Sequence, residues 1–178
     1  MSLDSPRFPK VPLDRRAYAF LIDFTAVWFL SAFAGPVFQG FLFLMIWFGH
    51  RVILIENNRG QSLGYWAMDM KVIETRFNRV PGLLELSKRE AIVGAASLLA
   101  MYGLRINLNN VLSMLILAVP LLADCGLALG DPDLNQTFHD RIAGTIVIQT
   151  KRGFSLDLRV KRWLRLLQDR LRQPPDRY

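Results

Sequence analysis

The sequence predicts an all-α integral membrane protein with four transmembrane helices arranged as two hairpins, a short cytoplasmic β-ribbon and a C-terminal amphipathic helix. Three observations lead to this fold class. Hydrophobic residues make up 52% of the 178 positions, just above the ~45 to 50% of soluble domains, and they are concentrated in four blocks. Basic residues flank these blocks, and a short segment after the second block recurs after the fourth.

The first helix is predicted over residues 17–35, after a polar lead-in at residues 1–16 that contains three prolines. Asp23 lies inside the apolar run, which argues against a cleaved signal peptide and requires a partner for the carboxylate. Arg16 lies seven residues earlier on the same helical face, and a third group from another helix is expected to join the two. Two interpretations remain open: a proton or cation relay, or a buried ion pair that fixes helix packing.

Three further blocks predict helices over about 37–54, 91–106 and 111–129, with a charged cytoplasmic loop at 56–90. His50 and Arg51 are interpreted as snorkelling anchors where the second helix reaches water. The third block is short for a membrane span, but charge counting favours it. With four spans, all of the 22 Lys and Arg residues except Arg105 fall on one side. Both termini are therefore expected in the cytoplasm, with the protein in the bacterial inner membrane or an internal membrane.

The chain also contains an internal repeat at an offset of 75 residues. Gln61 begins one copy and Gln136 the other, and each copy follows a predicted hairpin. Both continue with a small hydroxyl residue, a large apolar residue and a β-rich end. The ends, at 71–75 and 146–150, are expected to pair as a ribbon on the cytoplasmic surface. The membrane domain is thus predicted over residues 17–150 as two units related by an axis along the membrane normal.

Residues 151–178 form a basic tail with apolar residues at helical spacing. Such a helix suits the cytoplasmic interface of an anionic bilayer; the alternative is docking on the protein's own loop domain. The expected lipid-interface residues are Arg159, Arg162, Trp163 and Arg165.

Further polar residues near the fourth helix have two readings each. Asp140 fits a capping box in which Thr137 caps a short helix; the functional alternative has Asp140 holding Arg16 or Arg141. His139 is expected at a surface or interface, with a pH sensor as the second reading. Asp124 either lies on a solute path or sits low enough in the fourth helix to reach the cytoplasmic interface.

Three segments together resemble the RDD family of small bacterial membrane proteins: residues 15–23, residues 60–64 with 71–73, and residues 136–147. The resemblance identifies Arg16, Asp23 and Asp140 as the name-giving residues and adds Arg89 before the third helix. Tyr65 departs from the family, which commonly carries a basic residue there. The resemblance implies transport of ions or small ligands.

The expected function is therefore transport of a proton, a small cation or a small ligand, and the alternative is a non-catalytic accessory subunit or assembly factor of a larger membrane complex. No nucleophile, metal or dinucleotide motif is present, so neither enzyme activity nor a cofactor is expected. The net charge of +7 suits anionic lipid better than nucleic acid, because the basic residues flank apolar blocks. A homo-oligomer or a larger membrane complex is the expected protein partner. Cys125 is the single cysteine, which excludes an intrachain disulfide.

Overall fold

The computed structural model describes residues 11–105, 110–130 and 134–150, and all of 155–166 except 157, 161 and 164. Up to Thr150 the described residues form seven α-helices and two strands. Their bounds are α1 Leu13–Ala32, α2 Gly35–Phe48, α3 Leu54–Asn57, α4 Leu63–Ala67, β1 Met70–Glu74, α5 Leu83–Arg105, α6 Val111–Gly126, α7 Phe138–Ala143 and β2 Thr145–Gln149. A π-helical turn, Gly49–Ile53, joins α2 to α3, and a 3-10 turn, Leu127–Gly130, extends α6.

The helix bounds differ from the predicted ones. The first helix begins at Leu13 and the second continues to Asn57. The largest correction concerns the third helix, which begins at Leu83 rather than near residue 91. At 23 residues it is about 34 Å long at ~1.5 Å per residue, so its length is sufficient for a span. The charged residues in its first turns favoured a loop in the sequence, because the residues that pair with them lie far away along the chain.

Two helical segments are long and apolar enough to cross a membrane by length and composition: Gly35–Asn57 and Val111–Gly130. Large apolar side chains on several helices point away from the protein, as with Phe41 at 69% and Leu122 at 61% exposed. Contiguous exposed apolar surface of this kind is rare on soluble monomers and marks a membrane or protein contact. The prediction of a helical membrane fold is confirmed at this level.

The two hairpins pack through α2 and α5. Aromatic rings fill the space between α1 and α2, with the Phe24 and Phe43 ring centroids 5.9 Å apart. α2 lies close to α5 at Gly40, where a Cβ would lie 2.1 Å from the Tyr102 hydroxyl and the Tyr102 side chain would have to move. Near the same contact, Arg105 Nη1 donates to Gln39 Oε1 at 2.6 Å. Because Gln39 lies near the start of α2 and Arg105 ends α5, the two hairpin turns lie at the same end of the bundle.

The predicted β-ribbon is confirmed, with each strand beginning one residue earlier than expected. The strands β1 and β2 pair antiparallel, and Val72 lies opposite Val147 at the centre of the register. These two valines are also equivalent positions of the 75-residue repeat, so the ribbon relates the two halves by an approximate two-fold axis.

Local geometry supports the same equivalence. Gln61 Nε2 donates to the carbonyl of Met70 at 2.6 Å, and Gln136 Nε2 donates to the carbonyl of Thr145 at 2.8 Å. The four residues keep the 75-residue offset. Each glutamine thus closes the turn between a short helix and its strand, a structural role for both candidates.

In the tail, the described residues between Leu156 and Leu166 are helical. Arg159, Arg162 and Arg165 are exposed, and Trp163 is 64% exposed. The described part of the tail therefore leaves its tryptophan open rather than docked on the loop domain. Several residues of the predicted apolar face, including Leu164, Leu167 and Leu171, lie outside the described residues.

Candidate functional site

Acidic and basic side chains alternate through the interior of the bundle, at the end opposite the hairpin turns. We call these six residues the ion network. In order of contact they are Asp23, Arg51, Glu90, Arg89, Asp140 and Arg16. All are buried except Arg16, whose side chain is 10% exposed. The described network balances three positive charges against three negative ones, as burial in a medium of low dielectric constant requires.

Asp23 is fully enclosed by donors. Its Oδ2 accepts from Arg51 Nη1 at 2.5 Å and from the Ser62 hydroxyl at 2.6 Å, while Oδ1 accepts from the backbone N–H of Gly64 at 2.7 Å. Arg51 is thus the partner of Asp23 from another part of the chain, but no described contact of Arg51 joins Asp23 to Arg16 as expected. Arg16 does not belong to this shell, although it lies on the same helix.

The prediction of Arg51 as an anchor in water is wrong, since the residue is 2% exposed. The π-helical turn Gly49–Ile53 contains it, and such turns change which way the following side chains point. Its Nε lies 3.1 Å from Glu90 Oε2, and its guanidinium carbon lies 4.9 Å from the centre of the Tyr65 ring. His50, the second expected anchor, instead lies 3.5 Å from Asp23 Oδ1.

Glu90 and Tyr65 connect the two halves of the network. Glu90 Oε2 also accepts from Trp47 Nε1 at 3.1 Å, so this carboxylate holds α2 against α5. The Tyr65 hydroxyl accepts from Arg51 Nη2 at 3.3 Å and from Arg89 Nη2. Tyr65 thus supplies a hydroxyl acceptor between two arginines.

Asp140 receives the other end of the network. Its Oδ2 accepts from Arg16 Nη2, and Arg89 Nε lies 3.1 Å from Oδ1. Burial by itself raises the pKa of this carboxyl, but Arg16 and Arg89 outweigh that effect and hold the pKa well below its usual range. The capping-box reading is wrong: Thr137 is the N-cap of α7, but its side chain makes no cap hydrogen bond. Asp140 is used by the two arginines instead.

A second acid–base pair lies beside the network. His139 Nδ1 lies 2.5 Å from Asp124 Oδ2, and the backbone N–H of His139 donates to Asp124 Oδ1 at 2.9 Å. His139 Nε2 lies 3.0 Å from the Thr137 hydroxyl and 3.6 Å from Asp140 Oδ1. His139 is buried rather than at the surface, because α7 folds back onto the end of α6.

The pair faces a cavity of about 510 Å³ between α1 and α6, which we call the α1/α6 cleft. Its polar side chains lie at one end, and apolar residues line the rest. The polar lining residues are Arg16, Arg51, Tyr65, Asp124, Thr137 and His139. Asp23 and Asp140 are not among the lining residues. Of the acids in these two clusters, Asp124 is the one that meets open space.

Two features of the site were missed in the sequence. Glu90 follows Arg89 in a charged stretch that was predicted to be a loop. The only sequence signal for a helix here was the apolar pattern that starts at Ala91. Arg51 was noticed but assigned to water. Arg141, a secondary candidate, is exposed on α7.

Comparison with known proteins gives one match. The model of the RDD family matches residues 10–144, about three quarters of the chain, and the matched range contains every residue of the ion network. No curated protein and no solved structure matches the chain. The family match confirms the resemblance inferred from the three sequence segments.

Proposed function

Since the chain belongs to the RDD family and carries two helices apolar enough to span a membrane, we propose that it is an integral membrane protein that transports a proton or a small cation. The exchanging group is the Asp124–His139 pair at the polar end of the α1/α6 cleft. The observation that carries this proposal is the contrast between Asp124, which lines a cavity, and Asp23, whose oxygens are enclosed by three donors. Asp23 then serves as the buried ion pair that fixes packing.

Charge balance supports the assignment. The ion network is neutral by itself, and Asp124 lies outside it, paired with His139. A buried carboxylate in a medium of low dielectric constant is stabilised by a proton or by a cation. The pair is therefore the place in the two clusters where one proton or one small cation can be taken up and released. His50 offers no second place of this kind, because its Nε2 faces the backbone N–H of Leu63 at 3.4 Å as an acceptor.

All four long helices cross the membrane in this proposal, with both termini in the cytoplasm. The shared end of the two hairpin turns supports this topology, since it leaves the start of α1 and the ribbon at the other end. Arg105 is then the single basic residue on the outer side, where it binds Gln39. The cytoplasmic membrane of a bacterium is the proposed location.

Flux measurements in proteoliposomes test the transport function. Wild-type protein is expected to move protons when a Na⁺ or K⁺ gradient is imposed. Asp124→Asn keeps the shape of the side chain and removes its charge, so it is expected to insert at normal abundance and lose flux. Asp14→Asn is the matched control, because Asp14 is exposed in the first turn of α1. Full flux in Asp124→Asn would contradict the assignment.

The second candidate function is an accessory subunit of a larger membrane complex. Exposed aromatic and aliphatic side chains on α2, among them Val37, Phe38 and Phe41, favour it because they form a surface that a partner helix could cover. Absence of flux from wild-type protein under Na⁺, K⁺ and H⁺ gradients, together with co-purification of a larger complex, would support this alternative over transport.

A further inference from the structure

The α1/α6 cleft changes character along its length. Arg16 lies at its polar end, in the first turns of α1, and Leu21 lies about 8 Å deeper at ~1.5 Å per residue. On the opposite wall, Ala128 lies near the polar end and Leu122 lies deeper. One charged end followed by an apolar channel is the shape that suits an amphiphile rather than a polar solute.

The cleft also opens sideways. Leu21, Leu122 and Leu129 line it, and each of them is at least half exposed to the surroundings of the protein. In a membrane, exposed leucines on α1 and α6 face hydrocarbon. The cavity is therefore accessible to lipid from the bilayer, through the gap between the two hairpins. Its volume of about 510 Å³ falls within the ~300 to 1,000 Å³ typical of ligand sites.

The charge at the polar end selects the kind of amphiphile. A guanidinium has five N–H donors, and the described hydrogen bonds of Arg16 use Nη1, to the carbonyl of Asn135, and Nη2, to Asp140. Both oxygens of Asp124, the one carboxylate among the lining residues, already face His139. Arg16 is thus the group best able to take a further partner, and an anion complements it.

We propose that the α1/α6 cleft binds one anionic phospholipid of the membrane, with its phosphate at Arg16 and one acyl chain between Leu21 and Leu122. The acyl chain closes the cleft on the hydrocarbon side, and the headgroup lies at the level where basic residues meet the anionic leaflet. Lipid binding stands on the shape and charge of the cleft and does not require transport. The experiment therefore measures lipid binding and not flux, so that a negative result for lipid binding can be distinguished from a negative result for transport.

Native mass spectrometry of the full-length protein in detergent tests the proposal. Phosphatidylglycerol and phosphatidylcholine with identical acyl chains are titrated in parallel. The first phosphatidylglycerol is expected to bind about tenfold more tightly than phosphatidylcholine, a difference of about 1.4 kcal/mol. Leu122→Trp fills the cleft and is expected to abolish that preference. Phe41→Trp, an equally exposed change on α2 outside the cleft, is expected to keep it.

Leu21→Trp is a second cleft variant, which serves if Leu122→Trp does not fold. It fills the same space from the opposite wall. Soluble glycerol phosphate in excess separates a lipid site from a free-phosphate site and is expected not to compete. The proposal is overturned if wild type does not discriminate between the two lipids, if glycerol phosphate displaces the lipid, or if the cleft variants behave like Phe41→Trp.

Discussion

Asp23 and Asp124 are both aspartates within apolar helices, but their surroundings give them different roles. Asp23 has its charge matched by Arg51 and its oxygens occupied by a hydroxyl and a backbone N–H. A change in the charge of Asp23 would disturb all three of these hydrogen bonds. Asp124 contacts the ring of His139 and lines the α1/α6 cleft. At the scale of single residues, the depth of enclosure separates Asp23 from Asp124, the acid for which we propose ion exchange.

The first prediction concerns Arg51. We expect Arg51→Gln to lower the free energy of unfolding by ~3 to 5 kcal/mol, because it leaves Asp23 buried without its arginine and leaves Glu90 with Arg89 alone. Arg79→Gln is the matched control: Arg79 binds Glu74 with 69% of its side chain exposed, and its loss should cost at most ~1 kcal/mol. Thermal unfolding in detergent, followed by circular dichroism, measures both. Equal loss in the two variants would contradict the prediction.

The second prediction is a pH dependence at Asp140. Because its pKa is held low in the folded protein, its stabilising contribution is complete above the ordinary carboxyl pKa of ~4 and is lost as the pH falls below that value. Asp140→Asn should therefore be less stable than wild type at pH 7, and the gap should narrow at pH 3. Melting temperatures of both proteins across this range measure the gap. A gap of constant size would show that the charge of Asp140 contributes nothing.

Most ionisable residues of the site could be identified from the sequence. Helical spacing put Arg16 and Asp23 on one face, which the structure retains. Their partners could not be predicted, because Arg16 binds a residue 124 positions away and Arg51 reaches Asp23 only through a π-helical turn that no residue pattern announces. Local periodicity contains no information about contacts between different helices.

At the scale of elements, the ribbon was predictable and the start of α5 was not. The repeat placed two β-rich segments at matching positions, and their pairing followed from symmetry. For α5, the charges of Arg89 and Glu90 suggested an exposed loop, whereas both side chains are fully buried. Charge predicts exposure only where no partner of opposite sign is available.

The third prediction concerns the tail helix. A peptide of residues 155–172 is expected to become helical on anionic vesicles and to dissociate at high salt, because its arginines face the headgroups. Circular dichroism and a sedimentation assay with phosphatidylglycerol vesicles measure both effects. Phosphatidylcholine vesicles are the control. Equal binding to both kinds of vesicle, or no helix on either, would rule out the electrostatic mechanism.

At the scale of the whole molecule, the ion network and the ribbon join two similar halves. Each half has a helical hairpin, a short helix and a strand, and the hairpin turns share one end. This arrangement concentrates charge in one region and leaves the remaining length of the helices apolar. Because the charged residues lie toward one end of the bundle, they predict an orientation of the protein in a membrane, and this orientation can be tested.

The fourth prediction is the four-span topology. Single cysteines at Ala34 and Val111, in a Cys125→Ala background, lie beside the two hairpin turns and are expected to react with a membrane-impermeant maleimide added outside intact cells. Phe77→Cys, in the exposed segment after β1, should react only after the membrane is permeabilised. Protection of either turn from the external reagent would contradict the topology.

The distribution of ion pairs between the halves bears on how the chain is made. Asp23 finds Arg51, Ser62 and Gly64 within the first hairpin and the segment that follows it. A ribosome that has completed this part has therefore already supplied these partners of Asp23. Arg16, by contrast, can bind Asp140 only after residue 140 has been added to the chain. The first half can therefore enter the membrane with Asp23 compensated, whereas the contact of Arg16 forms late in synthesis.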